Sequence, residues 1–169
     1  MTITKKLFFF LFFFLNFLSL NASESISYID IDSIINKSNA GKIVLKELES
    51  INQNNIMKLK SFQNKLKDDE NEIKSQKNII SKKEFDNRIK KLNQDIQEYN
   101  ELKKTLTNKF NTERQNKYKS IILKISPIIE NYMKENSISI LMDKKNIFIA
   151  KPKYDITTPI LDLINLKLK

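Results

Sequence analysis

Apolar side chains recur at alternating steps of three and four residues along most of this chain. From Leu45 the series runs Leu45, Leu48, Asn52, Asn55, Leu59, Phe62, Leu66, Asp69, Ile73, Gln76 and Ile80, with seven apolar positions in eleven. That is a coiled-coil seam with polar interruptions. A second ladder, Phe85, Ile89, Leu92, Ile96, Tyr99, Lys103, Leu106 and Phe110, has one polar position in eight. It continues through Tyr118, Ile121, Ile125 and Ile128 after a four-residue slip, which reads as a stutter. From Lys42 to Ser126 there are 85 residues without Gly or Pro, so both ladders are predicted as long helices.

Between the ladders lies Ser81-Lys82-Lys83-Glu84, the pattern of a capping box at the start of a second helix, with Ile80 and Phe85 at the positions of a hydrophobic staple. A reversal there sets positions summing to about 165 opposite one another: Ile80 with Phe85, Ile73 with Leu92, Leu66 with Tyr99 and Leu59 with Leu106. Elsewhere polar meets apolar, as in Asp69 with Ile96, Asn55 with Phe110 and Lys103 with Phe62, which predicts an arm that bends rather than a rigid rod. At about 1.5 Å per residue the first helix alone reaches on the order of 55 Å.

Alternating β-branched and aromatic residues predict three strands around the arm: Ile26 to Ile31, Ile138 to Met142, and Ile147 to Ala150. Pro127 is expected to kink the descending helix or to open its next segment. Thr158-Pro159 reads as an N-cap followed by Pro at the first helical position, opening a last helix through Leu166. The fold class is therefore α+β, a long antiparallel helical hairpin emerging from a small sheet. Residues 23–42 and 127–169 make the body, residues 43–126 make the arm, and the tip lies near 79–84. A three-stranded sheet cannot bury both of its faces, so the body is expected to self-associate.

The beginning of the chain follows a different pattern. Lys5-Lys6 precedes an apolar run from Leu7 to Leu20 broken only by Asn16 and Ser19. Its fourteen residues fall short of the roughly 20 that span a bilayer, and fit the core of an export signal ending near Ala22. Retention of this run as a membrane anchor is the alternative. Removing residues 1–22 with their two lysines leaves 147 residues and a net charge of +8, one domain's worth of chain.

Composition excludes several chemistries. The chain holds no Cys and no His, so the common zinc sites, disulfide frameworks and His-dependent nucleophile arrangements are unavailable. There is no Gly-rich phosphate loop, so no enzyme activity and no cofactor are expected. Lys outnumbers Arg 28 to 2, a bias that nucleotide composition alone produces, so only the placement of charge is informative. Residues 73–91 concentrate it: Lys74, Lys77, Lys82, Lys83, Arg88, Lys90 and Lys91 stand against Glu84 and Asp86. With the apolar edge of Ile79, Ile80 and Phe85, this tip is a candidate site for acidic partners or anionic lipid. The competing reading is a solvated end in a Lys-rich chain.

Tyr28-Ile29-Asp30 after an export signal, Ser38-Asn39-Ala40-Gly41-Lys42 leading to Leu48-Glu49, Leu141-Met142-Asp143-Lys144 with Ala150, and Asp155-Ile156-Thr157 before the last helix follow one another in order. In these respects the chain resembles the periplasmic chaperones of the Skp (OmpH) family. The resemblance implies a homotrimer whose small β-body joins the subunits, and whose helical arms enclose a cavity that holds unfolded outer-membrane proteins without ATP. It also implies contact of lipopolysaccharide with basic side chains of the descending helix, for which Lys109, Arg114 and Lys117 are the nearest candidates. The expected function is thus a periplasmic holdase. A membrane-tethered structural coiled coil is the alternative, and a nucleic-acid partner is disfavoured by the export signal.

Overall fold

The computed structural model describes residues 25–168; the expected signal at 1–22 lies outside them. Strand β1 (Ser25–Ile29) leads into helix α1 (Ile31–Lys37), then α2 (Asn39–Gln76), α3 (Lys82–Glu135), β2 (Ile138–Asp143) and α4 (Thr157–Lys167). Short 3-10 turns lie at Lys144–Asn146 and Pro152–Tyr154.

The first strand is shorter than its sequence pattern suggests because Asp30 caps the following helix. Its Oδ1 accepts from the Ser33 amide at 2.8 Å, which places Ile31 in α1 instead of the sheet. Ser38 then serves two helices. Its amide donates to the Ile34 carbonyl, closing α1, and its buried Oγ accepts from the Gly41 amide at 3.1 Å, opening α2. The two helices pack so closely here that a Cβ on Gly41 would lie 1.8 Å from the Ile35 carbonyl oxygen, so the sole glycine of the chain marks a backbone contact.

Helices α2 and α3, of 38 and 54 residues, would span about 57 and 81 Å at 1.5 Å per residue, and they form the predicted antiparallel arm. The turn between them is closed by the Ile79 and Ile80 amides, which donate to the Gln76 carbonyl at 2.9 and 3.1 Å. Ser81 caps α3 as expected, its Oγ accepting from the Glu84 amide at 3.2 Å. The reciprocal half of the capping box is absent among the described residues: Glu84 accepts instead from Arg88 Nε at 3.0 Å, a charge-assisted bond that outcompetes a neutral amide. Tyr99, expected opposite Leu66, sets its ring edge-on to Phe62 with centroids 5.8 Å apart, one turn nearer the body.

Pro127 does not divide α3, which runs through it as one helix to Glu135. The carbonyl that loses its donor belongs to Leu123, an outward-facing residue 64 % exposed, where water can take the missing bond. Flanking Ile121, Ile125 and Ile128 are buried and hold the helix to the core. The helix stops at Asn136, and Ser137 adopts a positive φ of 52° before β2 begins.

β2 lies parallel to β1, pairing Ser27 with Leu141 and Ile29 with Asp143, so the whole arm is the crossover between two neighbouring strands. The expected third strand is not formed. The outer edge of β1 is already taken by the chain at Asp155–Ile156, where the Ile156 amide donates to the Tyr28 carbonyl at 3.0 Å. The turn at Lys144–Asn146 then carries Ile147–Ala150 past the sheet, with Phe148 and Ile149 on the surface. The last helix also starts differently from the sequence reading. Its first residue is Thr157, so Thr158 is not the cap; Asp155 Oδ1 accepts from the Thr157 amide at 2.9 Å, and the Thr157 hydroxyl accepts from the Asp30 amide at 2.9 Å.

Ile29, Ile34, Ile35, Ile121, Ile125, Ile128, Ile156, Ile160 and Ile164 form one buried cluster, drawn from β1, α1, the body end of α3, and α4 with the residue before it. This all-isoleucine core is the fixed base from which the arm projects.

Candidate functional site

The far half of the arm has two unlike sides. On one, the seam is open as a furrow of about 780 Å³. Its floor includes Leu66, Ile73, Phe85, Ile89, Leu92 and Ile96, and its rim carries Lys67, Lys74 and Lys77 against one carboxylate, Glu70. Ile73 is buried and Ile96 is 40 % exposed, so the floor passes from sealed to solvent-facing. Glu70 and Lys74 are paired at 2.6 Å across one helical turn, and the hydrogen bond from Lys74 holds the Glu70 carboxyl below its ordinary pKa.

On the other side charges close the seam. The depression there is about 230 Å³ and is lined by Asp69, Glu72, Arg88, Lys91 and Asp95 beside Ile73 and Leu92. The Arg88 guanidinium, about a third exposed, donates from Nε to Glu84 at 3.0 Å, and from Nη1 to Glu72 Oε1 at 3.1 Å and Gln76 Oε1 at 2.8 Å. These bonds tie the end of α2 to the start of α3, and those to Glu84 first and Glu72 second raise the pKa of the guanidinium. A planar fork with several donors can serve three acceptors at once where an ammonium on a flexible stem cannot hold the same geometry. This role explains one of the two arginines in a chain otherwise dominated by lysine. Lys91 pairs with Asp95 at 3.0 Å on the same side.

Of the sequence-predicted tip residues, Lys74, Lys77 and Phe85 meet at the furrow. Ile79 stands at the end of the arm, 80 % exposed. Ile80 is half-buried, while Lys82, Lys83 and Lys90 are exposed and make no ion pair among the described residues. Arg88 and Lys91 belong to the charged side. The basic character of the tip is weaker in three dimensions than along the chain. Glu70, Glu72 and Asp95 lie outside residues 73–91 but pair with cations inside them, so seven cations stand against five carboxylates over residues 70–95. The spacing of Glu70 with Lys74, Glu84 with Arg88 and Lys91 with Asp95 is the helical i,i+4 signal; the link from Arg88 to Glu72 needed the fold.

Toward the base of the arm, Lys117 donates to Glu47 Oε2 at 2.6 Å, and this bond raises the lysine's pKa. Lys109 and Arg114 remain exposed. A further apolar surface, missed in the sequence, lies on the body: Ile26, Met142, Phe148, Ile149 and Tyr154 surround a hollow of about 650 Å³. Phe148 is fully exposed and Ile149 is 85 % exposed. Among the described residues no helix is long and apolar enough to cross a membrane.

A two-stranded parallel sheet whose crossover is a long, half-open helical hairpin defines a class of protein that presents an extended amphipathic limb from a small body. Residues 25–164 match the family described as outer membrane protein, OmpH-like, and the chain belongs to that family. Among solved structures it is similar to an OmpH-like outer membrane chaperone from Caulobacter crescentus CB15, with a TM-score of 0.76, 16 % identity and 85 % of each chain covered. No curated protein matches the sequence.

Proposed function

We propose that the protein is an ATP-independent holdase chaperone of the periplasm, binding unfolded outer-membrane proteins between helical arms and keeping them from aggregating. The observation that carries this reading is the open seam: most apolar positions along the arm are half-buried rather than sealed, and Ile96 and Ile79 face solvent. Many weak apolar contacts on a long, lysine-rich limb suit a partner that has no fixed shape. Family membership and the likeness to a structure described as an OmpH-like chaperone support the same conclusion.

Three copies joined through the body complete the proposal. Ile26, Ile140, Met142, Phe148 and Ile149 expose apolar surface beside a sheet of only two strands, a surface suited to contact with another subunit. The segment Ile147–Ala150 is the natural source of the strand that the isolated chain does not form. With the bodies joined, three arms enclose the holding space. Lys77, Lys82, Lys83 and Lys90 attract acidic segments over long range, and exposed Lys109 and Arg114 are the positions for lipid phosphate.

The test is the light-scattering mass of the mature protein alone and with a small outer-membrane β-barrel protein diluted from urea, together with the turbidity of the mixture. A trimer that suppresses turbidity without nucleotide is expected. A monomer would overturn the assembly, and undiminished turbidity would overturn the holding role.

A further inference from the structure

We infer that the apolar furrow, and not the opposite charged side of the hairpin, is the seat of a held chain, and that it selects an extended segment with alternating apolar side chains and nearby carboxylates. This inference rests on the holding role proposed above.

The two sides of the arm offer a partner different chemistry. On the charged side Arg88 and Lys91 are already satisfied by Glu72, Glu84, Gln76 and Asp95, so a ligand there must displace charge-assisted bonds. On the furrow side Lys67 and Lys77 carry no ion pair among the described residues, and only Lys74 is engaged, by Glu70. The rim therefore has three cations to one anion, which favours a carboxylate-bearing occupant and disfavours a basic one.

Shape points the same way. From Gln63 to Gln76 is fourteen residues of α2, or about 21 Å of helix at 1.5 Å per residue. That length matches about six residues of extended chain at roughly 3.3 Å each. In such a chain every second side chain points to the same face, so about three apolar groups reach the floor of Leu66, Ile73, Leu92 and Ile96 while the intervening ones point outward, beside the flexible lysines of the rim. Strands destined for a membrane barrel carry this alternation. A volume near 780 Å³ lies in the range of sites that bury a substantial ligand.

The experiment places a photo-crosslinking residue at Gln63, on the furrow, or at Lys65, about 200° farther round the same helix, in the full mature chain. The probe is a small outer-membrane β-barrel protein diluted from urea. At least about fivefold more crosslink to the probe is expected from Gln63 than from Lys65, a difference of about 1 kcal/mol in occupancy. In parallel, Lys67→Glu with Lys77→Glu should weaken probe binding about tenfold more at low salt than the equal charge change Lys58→Glu with Lys104→Glu. Equal crosslinking from both sides, or equal weakening by both pairs of substitutions, would overturn the furrow while leaving holding intact. Crosslinks from Gln63 to a second copy of the chain that persist when probe is added would make the furrow an arm-to-arm contact and overturn it as well. If the unsubstituted protein fails to suppress aggregation of the probe, the holding role itself fails, and the furrow assignment with it.

Discussion

The body and the far half of the arm are built from the same few residue types and reach opposite ends of packing. In the body, nine isoleucines from four parts of the chain close completely on one another. In the arm, α2 and α3 touch along a single seam, and beyond the base Ile73 alone among the described residues is buried, still 7 % exposed. The difference lies in dimensionality. A cluster fed by helices and a strand from several directions can surround each side chain, whereas two helices alone leave every seam residue open on at least one flank. Stability is thus concentrated at the base, and surface suited to passing partners is spread along the limb.

Substitutions at the two ends should separate these roles. The largest effect is expected from Ile125→Ala, which empties a site in the sealed core and should lower stability by about 2–5 kcal/mol. Denaturant unfolding followed by circular dichroism would read it, and a loss under about 1 kcal/mol would mean that the core is looser than its burial implies. Gly41→Ala should follow, at about 1–3 kcal/mol, because the new methyl must push α2 away from the Ile35 carbonyl. An unchanged melting temperature would show that the junction yields freely.

Arg88→Lys is expected to leave the melting temperature of the body in place while speeding amide exchange in residues 76–85 severalfold, since an ammonium cannot span Glu84, Glu72 and Gln76 together. Exchange that accelerates equally at the base would break the separation between the two regions. The smallest effect belongs to Lys117→Met. A partly exposed pair contributes little, so the melting temperature should move by about a degree or less at neutral pH. Because the folded lysine has a raised pKa, its small contribution is fully present below the ordinary lysine pKa and is lost as pH rises through the folded value. The substituted and unsubstituted proteins should therefore converge in strongly alkaline solution.

The long elements were legible because they depend on local rules. Eighty-five residues without a breaker and two ladders of period 3.5 specify helices whatever surrounds them, and Ser81 marks the turn through a bond to an amide three residues away. What escaped detection depends on partners distant in sequence. Ile147–Ala150 has the composition of a strand, but pairing needs a free edge, and Asp155–Ile156 occupies the one beside β1. Thr158 looked like a cap, yet Asp155 and Thr157 are fixed by contacts that reach back to Asp30. Pro127 is tolerated because the body holds the helix around it. At the candidate site the sequence shows which residues are basic and which apolar, but their division into an open side and a charged side follows from the pitch of two helices and the cross-link from Arg88 to Glu72, which no linear count of charge contains.

The parallel pairing of β1 with β2 has a consequence for how the molecule is made. Ser25 must find Ile138, more than a hundred residues later, so a chain emerging from its amino end cannot complete the body until nearly all of it has appeared. The hairpin can zip from its turn using neighbours alone. During biogenesis the limb is therefore free to form first, while the isoleucines of β1 and α1 wait exposed for their carboxyl-terminal partners, and the nascent protein is for that interval itself at risk of the aggregation it is proposed to prevent.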